Sequence, residues 1–80
     1  MIAPNKPRGR TLAAVEPGQT VRLVRIDAGQ RLMTRLAALG LLPNVEITVV
    51  RNGHPGPCVI RVRDSKVVLG RGMADKIEVS

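Results

Sequence analysis

The chain reads as a mainly β protein: a small barrel of about five short strands with one amphipathic helix strapped across it. Three observations predict this. Short stretches alternate apolar with polar residues and are separated by tight-turn signals. One segment instead has helical spacing, with Leu32, Leu36 and Leu39 at i, i+4 and i+7. That segment runs into Leu39-Gly40-Leu41-Leu42-Pro43-Asn44. There Gly40 and Asn44 tolerate positive φ, and Pro43 cannot continue a helix.

Taken in order, residues 1–10 hold two prolines, a glycine and three bases, which predicts a flexible basic tail. The domain is expected over 11–80. Thr11 to Val15 suggests a single turn with Thr11 as N-cap and Leu12 and Val15 pointing inward. Pro17-Gly18 is a turn. Thr20 to Ile26 is a first strand. Its apolar phase shifts from Val21 and Leu23 to Val24 and Ile26, as a bulge or a doubly buried strand would require. Asp27 or Gly29 caps the helix over 30–39, which has Met33 and Ala37 flanking its leucine stripe and Arg31 and Arg35 on its other side.

After the corner, Val45, Ile47 and Val49 alternate with Glu46 and Thr48 as a second strand. Arg51 to Pro57, rich in Gly and Pro, is expected as a loop. Cys58, Ile60 and Val62 alternate with Val59, Arg61 and Arg63 in a third strand. Asp64-Ser65 turns into a fourth over Lys66 to Leu69. Gly70 to Lys76 is a second corner, and Ile77 and Val79 close with a fifth strand.

Eighty residues make one domain with a modest core. There is no Phe, Tyr or Trp, so the core must be built from Val, Leu, Ile, Ala and Met. A single Cys excludes an internal disulfide and suits a cytoplasmic setting. No run is long enough to cross a bilayer, so direct membrane insertion is not expected. The net charge is +7; beyond the tail, ten bases face six acids. Such a field attracts acidic proteins, nucleic acid or an anionic membrane surface without choosing among them.

Catalysis finds little support. The six acids are scattered, and neither Ser65 nor Ser80 has a base beside it in sequence. His54 and Cys58, four apart, are the weak candidates for a divalent transition metal, Fe2+ or Zn2+. A structural site needs about four ligands, so Cys58 reads as a small core residue and His54 as a solvated one. No cofactor is required. Arg61, Arg63 and Lys66 form a basic stripe, read either as the wet face of a strand or as a phosphate track. No aromatic platform for stacking bases accompanies it, so nucleic acid is a secondary alternative.

The segment from Arg31 to Asn44 resembles the signature of the FeoA family, a basic helix ending in Leu-Gly-Leu, a variable residue, Pro and usually Gly. The resemblance extends upstream through Leu12, Val15, Gly18, Val21, Val24 and Ile26. Downstream it takes in Val45, Ile47, Val49, Gly56-Pro57, Ile60 to Val62, Leu69, Ala74, Ile77 and Val79. It departs in three places. Asn44 replaces Gly, the loop His54-Pro55-Gly56-Pro57 lacks an acid, and Gly70 and Met73 stand where Arg and Glu are common.

The resemblance implies an SH3-like barrel and a non-enzymatic accessory of bacterial ferrous iron uptake. Such a protein is cytoplasmic and reaches the inner membrane through a FeoB-type permease carrying a GTPase domain. The same domain also ends some metal-responsive repressors. On this reading Arg31, Arg35, one exposed leucine of Leu41 and Leu42, and Arg71 form the partner-binding patch; the other leucine plugs the barrel. Homo-oligomerisation is left open.

Overall fold

A computed structural model describes residues 10–53 and 56–80, with the backbone alone of Arg71. Residues 1–9, which make up the expected tail short of Arg10, and the metal candidate His54 lie outside the described residues.

The described chain runs β1 (Arg10–Thr11), β2 (Thr20–Ile26), α1 (Gln30–Ala38), β3 (Glu46–Asn52), β4 (Cys58–Val62), β5 (Ser65–Leu69), α2 (Arg71–Ala74) and β6 (Ile77–Val79). A 3-10 turn, Leu12–Ala14, follows β1. Thr11 precedes it in extended conformation but makes no side-chain capping bond. Every neighbouring pair is antiparallel, in the order β1-β6-β2-β3-β4-β5. The strand beyond the expected five is β1, where Arg10 pairs with Val79 and Thr11 with Glu78. Arg10 therefore belongs to the folded body rather than the tail.

Alternation along the strands divides the two faces. Cys58, Ile60 and Val62 point inward from β4, and Val67 and Leu69 from β5. Leu12, Leu23, Leu41, Ile47, Ile60 and Ile77 are the largest fully enclosed side chains. Among the described residues no polar or charged side chain is buried. Methionine plays a smaller part than expected, because Met33 is exposed and Met73 only borders the core.

Two bulges curl the sheet. In β2, Leu23 faces Val79 and Arg25 faces Glu78, so Val24 is the extra residue. This resolves the ambiguous phase of the strand: Val24 is exposed and Ile26 leans on the core. In β3, Val49 faces Ile60 and Arg51 faces Val59, which makes Val50 the extra residue. Pairing then continues to Asn52 opposite Cys58, where a loop was expected. A bulge adds local twist and bend, as a short sheet wrapping one core requires.

The β4–β5 hairpin also differs from expectation. Val62 pairs with Ser65, so Arg63 and Asp64 form its two-residue turn. Arg63 takes φ +58, the sign that tight hairpin turns demand and that β-carbons oppose. It sits in the turn and not on the strand face.

Candidate functional site

Helix α1 and the corner after it form the most distinctive surface. Gly29 precedes the helix without a side-chain cap, and Met33 N–H bonds the Gly29 carbonyl at 3.0 Å. The helix ends in a Schellman turn. Gly40, at φ +96, donates to the Ala37 carbonyl at 2.9 Å, and Leu41 N–H reaches the Leu36 carbonyl at 3.0 Å. This geometry folds Leu41 back beside Leu36, and both are buried. Each such burial contributes roughly 1.5–3 kcal/mol.

Past the turn, Asn44 adopts φ +74, and its N–H bonds the Leu23 carbonyl at 2.8 Å. Arg22 holds the corner from outside, donating to the Asn44 carbonyl at 3.0 Å and to Glu46 at 3.3 Å.

The two leucines of the corner therefore part company. Leu41 is 1% exposed and plugs the core; Leu42 is 45% exposed. Leu39, expected on the inward stripe, is 49% exposed. It lies just beyond the last helical residue, and Leu41, brought back by the turn, is the enclosed leucine of this end.

Apolar furrows flank α1 on both sides. One, of about 180 Å³, lies between the helix and the β2 end of the sheet and is lined by Ile26, Met33, Ala37, Leu42 and Pro43 with Arg25 at its margin. The other, of about 300 Å³, is lined by Leu32, Leu39, Val68 and Met73 with Arg35 at its margin. Four of the exposed large apolar side chains of the described chain, Met33, Leu39, Leu42 and Val68, border these furrows. Arg31 and Arg35 are exposed on the helix between them, and α1 carries no acid. Arg31 and Arg35 are exposed on α1, Arg35 at the margin of the larger furrow, whereas Leu42 borders the smaller furrow across the helix, where the enclosed Leu41 forms part of the floor. Arg71 begins α2, close to Met73 in sequence; its side chain lies outside the described part.

Of the two metal candidates, only Cys58 is among the described residues. Cys58 is fully enclosed on the inner face of β4. Among the described residues no three His, Cys, Asp or Glu side chains gather around one point. No described helix is long and apolar enough to cross a membrane.

One structural residue had no sequence signal. Asn52, inward-facing at the end of β3, directs its amide nitrogen at the carbonyls of Leu12, Ala13 and Val15, at 3.1, 3.2 and 2.7 Å. It staples the 3-10 turn over one end of the core.

Comparison with known proteins agrees with this geometry. Residues 10–80 match the FeoA domain family. A Methanocaldococcus jannaschii protein provisionally named Fe(2+) transport protein A is 38% identical over 68 residues, covering 85% of this chain and 82% of that one. A crystal structure of an iron uptake regulatory protein, FeoA, superposes with a TM-score of 0.79 at 28% identity, over 89% of this chain and 93% of that one. FeoA of Stenotrophomonas maltophilia complexed with zinc, described as a prokaryotic SH3 domain protein, superposes at 0.79 and 19% identity over 90% and 91% of the two chains. That last likeness concerns the fold alone, and it makes the fold SH3-like.

Proposed function

The chain belongs to the FeoA family, and on that premise we propose that it is a non-enzymatic accessory of ferrous iron uptake that binds the cytosolic region of a FeoB-type permease. The observation carrying this reading is the α1 surface. Two apolar furrows flank a helix whose only charges are Arg31 and Arg35. Apolar area supplies affinity there, while arginine forks select carboxylates. The fitting counterpart is an acidic segment with apolar side chains spaced to enter one furrow or both.

On this reading the protein performs no catalytic step and needs no cofactor. It acts by binding one conformational state of its partner more tightly than the other, which shifts that partner's equilibrium. It reaches the inner membrane by way of the permease.

Binding of the full chain to soluble cytosolic fragments of the permease, with and without guanine nucleotide, tests the proposal. Arg31→Glu with Arg35→Glu should weaken binding by roughly tenfold or more, because each interfacial arginine contact contributes on the order of 1 kcal/mol. Leu42→Ser should weaken it without lowering thermal stability. Unchanged affinity in both variants overturns the assignment of this surface.

A further inference from the structure

We propose that the outward face of β3, β4 and β5 adsorbs to an anionic lipid surface. The strand register sets its side chains in two adjoining rows. Thr48, Arg61 and Lys66 stand side by side, and beside them run Arg51, Val59 and Val68. Arg63 lies one step further, in the hairpin turn. Arg51, Arg61, Arg63 and Lys66 are all exposed.

The ion pairs among the described residues join Arg22 to Glu46 and Arg25 to Glu78, and neither draws on these four bases. Glu46, the acid nearest the two rows on β3, is already engaged by Arg22. Asp64, in the turn, is the other acid at this face. Arg61 and Lys66 are direct cross-strand partners, a like-charge pairing that weakens a sheet. An anionic surface in front of both turns that repulsion into attraction.

Apolar side chains on the same face identify the kind of anion. Val68 is 62% exposed and Val50 42% exposed. A bilayer interface accepts valine methyls between basic side chains. A phosphate ridge of duplex nucleic acid has no use for them, and the chain has no aromatic on which an unpaired base could stack. The net charge of +7 adds long-range attraction of the same sign.

This inference goes beyond the permease-docking reading and stands without it, since lipid vesicles contain no permease. The test is partition of the full chain onto vesicles of phosphatidylcholine alone and of phosphatidylcholine with phosphatidylglycerol, at about 0.1 M salt. Adsorption is expected on the anionic vesicles only and should fall as salt rises. Arg61→Gln with Lys66→Gln should reduce partition roughly 25-fold, about fivefold for each base near the surface. Arg31→Gln with Arg35→Gln removes the same charge from α1, across the furrow that Val68 borders, and should reduce it by no more than about threefold.

Absence of adsorption overturns the proposal. Equal losses in the two double variants overturn the assignment to this face. Tighter binding to duplex DNA at the same salt, lost in the Arg61 and Lys66 variant, gives the face to nucleic acid instead. Should that variant not fold, paramagnetic broadening of the wild-type amides by gadolinium-bearing anionic vesicles decides the question. Broadening centred on residues 59–68 supports the proposal, and broadening centred elsewhere refutes it.

Discussion

Replacing Asn52 should be costly for a half-buried polar residue, and the structure sets the scale. Its amide nitrogen has two hydrogens and faces three carbonyl oxygens, those of Leu12, Ala13 and Val15, with Val15 nearest at 2.7 Å. Two hydrogens shared among three acceptors amount to about two net bonds, so Asn52→Ala should cost roughly 1–3 kcal/mol. For a domain of this size about 1 kcal/mol moves the melting temperature by ~4–8 °C, so the loss is readily measured. Asn52→Asp keeps the shape but puts a carboxylate oxygen against the same carbonyls. At neutral pH it should cost at least as much as alanine.

The two variants differ in pH dependence. The introduced carboxyl is disfavoured as an anion and, when protonated, regains one donor. Its folded pKa is therefore raised above the unfolded value of about 3.9. That contribution to stability is fully present below the unfolded pKa and is lost as pH rises through the folded pKa. Asn52→Asp should therefore approach the wild type under acid conditions, while Asn52→Ala keeps a constant deficit. Thermal unfolding followed by far-UV circular dichroism is the assay, because the chain has no aromatic reporter. An Asn52→Asp protein melting within a degree or two of the wild type at neutral pH refutes the staple.

The corner leucines give a paired comparison. Leu41→Ala should cost about 2–5 kcal/mol, as enclosed leucines do, whereas Leu42→Ala should stay within about 0.5 kcal/mol; equal melting temperatures would contradict the division of roles. Arg63→Gly relieves a positive φ in the hairpin turn. It should leave the protein as stable or raise stability by up to roughly 1 kcal/mol, the relief being offset in part by glycine's greater unfolded freedom; a clear drop in denaturation midpoint would argue against the turn.

Much of the architecture was legible because local signals agreed with the global fold. Strand β2 was read at its observed ends, and the positive φ of Gly40 and Asn44 comes from residues that suit it. Period-two alternation identified the inward side of β4. Other features hinge on chemistry that spacing does not express. Asn52-Gly53 looks like turn material, and only the partner carbonyls nearly forty residues earlier explain why Asn52 ends a strand. Arg63 is a poor turn residue by preference, so Asp64-Ser65 drew the turn one step too far along. Arg10 carries no strand signal until β6 lies beside it.

The candidate surface divides in the same way. Its arginines were visible from their spacing on the helix. The exposure of Leu39 and Met33 was not, because a helical stripe says which side is apolar but not how much of it the sheet can cover.

The extra residues Val24 and Val50 also change how inside and outside are counted along the chain. Leu23 and Ile26 lie on one side of the sheet though three positions apart, and so do Val49 and Asn52. An odd interval within a strand ordinarily sends two side chains to opposite sides, and here one supernumerary valine restores their parity each time. In β2 and β3 a one-residue deletion at that valine leaves the in-and-out sequence of the downstream residues intact. The same deletion at any regular position of either strand inverts every later residue as far as the next turn.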